Sequence, residues 1–162
     1  MDKFPTIPRR IVTGIKNGKS AVVTDQQIDN VSEHFPGLII SDIWATDSMP
    51  VVLNKSVVVE NTAFPQTPAG GTYFRYVSIP PDKDLGIDTG QSRTAHPLFH
   101  QTDTIDYIII AQGEIYLLLE EAEVRLKAGD IVIQQATNHA WSNRSNEPCI
   151  QLAVLISAAA KV

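Results

Sequence analysis

Cys149 is the only cysteine in the chain, so no internal disulfide can staple the fold. It lies in "PCIQLAVLIS", an apolar, strand-like run that suits a small buried hydrophobe better than a thiol nucleophile. Basic residues are scattered. Arg9-Arg10 is the one adjacent pair, and the net charge of −5 argues against a nucleic-acid partner, which needs a basic patch. No segment approaches the roughly 20 apolar residues that span a bilayer. The N-terminal "MDKFPTIPRR" lacks a signal-peptide apolar stretch. A cytoplasmic protein with no membrane partner is therefore expected. No glycine-rich phosphate loop follows a strand and no G-x-S-x-G elbow occurs, so no organic cofactor is expected. Helical periodicity is scarce as well: "TDQQIDNVSEHF" (24–35) offers one short turn at most.

What remains is β-pattern. Period-two and β-branched runs predict strands in "RRIVTGI", "SAVVTD", "GLIISDIWAT", "TYFRYVSI", "DYIIIA", "EIYLLLE", "AEVRLKA", "DIVIQ", "HAWSN" and "CIQLAVLIS". Asn17-Gly18 marks a tight hairpin turn, and "AQGE", "LEEAE" and "KAGD" mark further turns. From residue 105 the strands recur about every ten residues, the rhythm of an antiparallel sandwich or barrel. Two loops are expected, "NTAFPQTPAGG" (61–71) and the long 80–97 segment. With 162 residues and no shift in composition, one domain is expected over 1–162.

Polar groups interrupt this pattern at "HPLFHQTDTIDYIIIAQGE" (96–114). In an extended chain, His100, Thr102 and Asp106 share one face with Ile108 and Ile110. Tyr107 and Ile109 take the other, so both faces read as buried. A carboxylate there needs a partner, with His100 and a residue of another strand as candidates. His139, Trp141 and Asn143 share a parity in "NHAWSN" and could meet them inside a small barrel. Arg75 sits mid-strand among aromatics; its fork suits a substrate carboxylate, or else it is an exposed outer-face residue. Trp44, Phe74, Tyr76, Tyr107, Tyr116 and Trp141 read first as core. Tyr107, Trp141 and Thr102 are kept with Arg75 as candidate substrate contacts. His96, before Pro97, reads as a loop residue, and His34 as surface.

These segments resemble the two motifs of the cupin superfamily, G-x5-H-x-H-x3,4-E-x6-G and G-x5-P-x-G-x2-H-x3-N. In the first, His100, Thr102, Asp106 and Gly113 take the two histidines, the glutamate and the closing glycine, with Thr94 where the opening glycine belongs. In the second, Gly129, His139 and Asn143 match. The Gly129–His139 interval is one residue short, and "QQAT" (134–137) replaces the proline and inner glycine. The likeness spans roughly residues 70–158, leaving 1–69 as an N-terminal β-strand extension.

The resemblance implies an all-β jelly-roll barrel with a pocket at one mouth. It also implies a homodimer, formed through edge strands and swapped N-terminal segments. At the motif positions it implies a divalent-metal site. Here Thr102 is a poor ligand, which leaves His100, Asp106 and His139 as a two-histidine, one-carboxylate face suited to Fe, Mn or Zn; His96 is a possible replacement. Three functions follow. The first is a metal-dependent enzyme acting on a small carbonyl or carboxylate compound, by decarboxylation, isomerisation or dioxygenation, with Asp106, His100 and His139 as catalytic residues. The second is a metal-free acid–base epimerase or isomerase. The third is a non-enzymatic small-molecule-binding barrel.

Overall fold

A computed structural model describes residues 7–53, 57, 67 and 69–159. Its strands are β1 (Arg9–Lys16), β2 (Lys19–Gln27), β3 (Ser32–Phe35), β4 (Leu38–Thr46), β5 (Thr72–Ile79), β6 (Thr104–Gln112), β7 (Glu114–Leu119), β8 (Glu123–Lys127), β9 (Ile131–Gln135), β10 (His139–Ser142) and β11 (Cys149–Ser157). All ten expected strands form. Segment 24–35, read as at most a helical turn, instead contains the end of β2 and all of β3. The 80–97 loop holds two short 3₁₀ turns, Asp82–Leu85 and Arg93–Ala95. The 61–71 loop lies largely outside the described residues. No helix among those described is long and apolar enough to cross a membrane.

The architecture is an all-β jelly roll. A six-stranded antiparallel sheet of order β3-β4-β5-β11-β6-β9 faces a three-stranded one, β10-β7-β8, while β1 and β2 pair only with each other. Asn17 and Gly18, with φ of 53° and 73°, make the positive-φ turn that a two-residue hairpin demands. Gly113 turns β6 into β7 at φ 78°, and a Cβ there would lie 2.9 Å from the Pro148 carbonyl oxygen. No other residue fits that corner.

Alternation divides the large sheet into two faces. Inward, Ile108, Ile110, Ala153 and Leu155 join Ile115, Leu117 and Leu126 of the small sheet in the main core. Outward, strand register lines Trp44, Phe74, Val154, Tyr107 and Ile133 in one row across five strands. Leu152, Ile109 and Ile131 form the next. These rows carry no charge, and Tyr107 and Ile109 are each 45% exposed. The expectation that both faces of β6 are buried therefore fails. Apolar side chains occupy both faces of β6, but only the inner one is covered.

Candidate functional site

Between the sheets lies a cavity of about 120 Å³. Phe35, Leu38, Ile40, Val77, Ile79, Leu98, Ile108, Trp141, Ala153 and Leu155 supply most of its wall; the polar residues are Arg75, His100, Asp106, Gln134, His139 and Gln151. His100, Asp106 and His139, from distant segments, thus reach one sheltered space.

The two histidines are fixed by backbone. His100 N–H donates to the His139 carbonyl and His139 N–H to that of His100, both at 2.9 Å. The imidazole centroids stand 4.3 Å apart, tilted by 49°. Each Nδ1 lies 2.9 Å from the carbonyl oxygen two residues back, Leu98 for His100 and Thr137 for His139. Those contacts select the Nδ1–H tautomer and leave each Nε2 as the acceptor. Trp141 sets its ring edge-on to His139 at 5.9 Å.

Asp106 finds its partner on β9. Register places Gln134 opposite it, and Gln134 Nε2 donates to Asp106 Oδ2 at 2.9 Å. The same amide nitrogen lies 3.2 Å from His139 Nε2. One NH₂ group, with two protons, joins the carboxylate to the imidazole. Sequence reasoning missed Gln134, which figured only as a departure from a motif. Its signal was its parity with Val132 on a strand whose inward face meets β6.

Burial sets the electrostatics. It raises the Asp106 pKa, against the Thr104 hydroxyl, the Gln134 amide and the positive fields of His100 and Arg75. It lowers His100, helped by Arg75 and opposed by the Leu98 carbonyl and Asp106. His139 is pushed down to about 4 by burial and by its neighbour His100, with the Thr137 carbonyl opposing. Acid and bases are all biased toward neutrality.

Arg75 lines the cavity, but its fork is engaged. Nε and Nη2 bond Asp42 Oδ1 and Oδ2 at 2.6 and 2.8 Å, in a pair that is almost wholly buried. Thr102 is buried, its hydroxyl 2.7 Å from that of Thr104, and is not part of the cavity wall. Tyr107, a candidate substrate contact, is on the outer face instead, because odd positions of β6 point away from the cavity. His96 is half-buried and outside the wall, its Nδ1 accepting from Leu98 N–H at 3.3 Å. Asn143 is structural: it donates to the carbonyls of Ile79 and Glu147 and accepts from Ser145. Its neighbour Ser142 and its own N–H hold the buried Asp82 carboxylate, tying the 80–97 loop to β10.

The resemblance implies a metal site at His100, Asp106 and His139. Among the described residues, no three His, Cys, Asp or Glu side chains gather closely enough to hold an ion. The Gln134 amide stands between Asp106 and His139, with its N–H groups turned to the atoms that would be ligands. This arrangement does not fit a two-histidine, one-carboxylate centre.

The family model described as "Cupin domain" matches residues 85–155, which include both motifs and His100, Asp106, Gln134 and His139. Residues 85–155 form a cupin domain. Phomopsin biosynthesis cluster protein C' of Diaporthe leptostromiformis is 39% identical over 110 residues, 64% of this chain and 52% of the relative. A cupin-domain-containing oxidoreductase of Neurospora crassa, srdD, is 29% identical over 140 residues, 83% of this chain and 65% of the relative. The chain thus spans about half to two thirds of the length of these curated relatives. Among solved structures, KdgF from Halomonas sp. aligns with a TM-score of 0.46 and 16% identity, covering 78% of this chain and 86% of that one.

Proposed function

We propose that this cupin is an enzyme that moves a proton on a small carbonyl compound held in the cavity, without a metal. The observation that carries this reading is the buried Asp106 carboxyl, bridged by the Gln134 amide to His139, beside a second imidazole and within apolar walls. Proton transfer works best when acid and base have pKa values near the working pH. Burial raises the Asp106 carboxyl toward that range, and it lowers both imidazoles, which keeps them neutral and able to accept a proton. Gln134 holds the Asp106 carboxyl in place. His100, whose Nδ1 is anchored, offers its Nε2 as the partner base. Apolar walls exclude water that would compete for the proton. The names of the relatives, biosynthesis cluster protein and oxidoreductase, support an enzyme acting on a small biosynthetic intermediate.

The test is hydrogen–deuterium exchange at carbon next to the carbonyl in a panel of small ketones and esters, followed by NMR. Asp106→Asn should slow exchange by about 10²–10⁴-fold, and dialysis against a chelator should leave it unchanged. Activity that returns only with added Fe, Mn or Zn would restore the metal-dependent reading. A product changed in oxidation level would point to redox chemistry instead, and tight binding with no turnover to a binding barrel.

A homodimer belongs to the same proposal. Its support is the uncharged outer rows of the six-stranded sheet and the β1–β2 hairpin, whose Ile11, Ile15 and Val22 are exposed. Two-stranded hairpins are marginal alone in water, and exposed apolar faces of this kind commonly mark interfaces. Sedimentation showing a monomer at micromolar concentration would remove it.

A further inference from the structure

Three side chains of the cavity wall each hold one buried polar atom with no hydrogen-bond partner: Asp106 Oδ1, Gln134 Oε1 and Gln151 Nε2. The residues are 5%, 4% and 3% exposed. They come from the adjacent strands β6, β9 and β11. A buried polar group left unpaired costs about 1–3 kcal/mol, and such groups are few in native proteins. Three around one cavity call for an occupant that pairs them.

The strands give this occupant its polarity and length. Asp106 and Gln134 sit opposite each other and present two acceptors at one level of the sheet. Asp106 pairs with Leu155, whereas Gln151 lies four residues away on the same strand, opposite Ile110. Four strand residues rise about 13 Å. Between the two levels the wall is Ala153, Ile108 and the Arg75–Asp42 pair. That pair matters for charge. A carboxylate entering here meets a guanidinium whose fork already holds Asp42, and it also meets two carboxyl groups, Asp42 and Asp106.

We infer that the cavity takes an elongated, uncharged, mostly apolar molecule, with a hydroxyl or amide N–H donor toward Asp106 and Gln134 and a carbonyl acceptor toward Gln151. The inference rests on the cavity being the substrate site, as proposed above, but not on proton transfer taking place there. It moves the substrate class away from the free carboxylates that Arg75 suggested in the sequence.

Three probes of one length test it: methyl ω-hydroxydecanoate, its free acid and methyl decanoate, each titrated by calorimetry at neutral pH. The hydroxy ester should bind the native protein. The free acid should bind at least about tenfold more weakly, and methyl decanoate, which leaves the two acceptors unpaired, about 5- to 150-fold more weakly. Gln151→Met, close in shape and apolar, should weaken the hydroxy ester by a similar factor while circular dichroism stays native. Equal or tighter binding of the acid, indifference to the hydroxyl, or no binding of any probe overturns the inference. The measurements need no turnover. A normal ligand ranking with Asp106→Asn fully active in exchange would defeat the proton-transfer proposal alone, and active exchange with a reversed ranking would defeat this one alone.

Discussion

The two faces of the six-stranded sheet are built from the same residue types with opposite results. On β6, Ile108 points inward and is 3% exposed, while Ile109 beside it points outward and is 45% exposed. The inner face combines apolar wall with Arg75, Asp106, Gln134 and Gln151, four of the six polar residues of the cavity. The outer rows are more uniformly apolar; Leu152 packs against a small buried cluster of Ile28, Ile43, Tyr76 and Ile150, and Trp44, Phe74, Tyr107, Ile109, Ile131 and Ile133 stay exposed. Hydrophobicity therefore identifies what avoids water, and polar residues at core parity identify where chemistry is placed. In this molecule the second signal carries the functional information.

The largest expected effect breaks the inner face electrically. Asp42→Ala strands the Arg75 charge in the interior and should cost about 3–5 kcal/mol in urea unfolding, whereas the double change Asp42→Leu with Arg75→Met should recover most of it. If the double variant is as unstable as the single, the pair is not the reason Arg75 is tolerated there. Next comes the matched pair on β6. Ile108→Ala should cost about 2–5 kcal/mol, and Ile109→Ala under about 1 kcal/mol. Similar losses would mean that the outer face is covered in solution, which favours the dimer.

A third prediction concerns pH. His139 has an unfolded pKa of 6.5 and a folded value of about 4, so the unfolded chain binds the extra proton between those values. Stability should fall as pH drops from 6.5 toward 4, by roughly 2–4 kcal/mol. Asp106, whose folded pKa is raised, has the opposite sign: its contribution is complete below its unfolded value and is lost as pH rises through its folded one. His139→Gln should flatten the acid limb in denaturation measured at several pH values; an unchanged limb would assign the acid sensitivity elsewhere. The smallest effect belongs to the outer face. Ile133→Lys should change monomer stability by only about 0.5 kcal/mol and leave probe binding in the cavity intact, while lowering the association seen in sedimentation.

Sequence reading reached the strands because period-two alternation is local, and it placed His100, Asp106 and His139 in one cavity because the motif spacing did so. It failed where pairing decides. "SEHF" is too short to show its period, so the sequence pattern does not separate β3 from a short helical turn. Gln134 becomes the partner of Asp106 only through the β6–β9 register. Asp42 and Arg75 are 33 residues apart and meet only when β4 lies against β5. Tyr107 was kept as a substrate contact because apolar neighbours on both sides suggested enclosure. Parity said which way it pointed, but not that nothing covers it there.

Each imidazole is leashed to the carbonyl of its own chain two residues upstream, and the two short segments are stitched together by a reciprocal pair of main-chain bonds. Ring orientation is thus set first by backbone geometry, with Gln134 and Trp141 also touching the His139 ring. Residues on β6, β9 and β11 can be exchanged to suit a different guest while both nitrogen edges keep their aim. Such a division lets one scaffold change its clientele without rebuilding its tools.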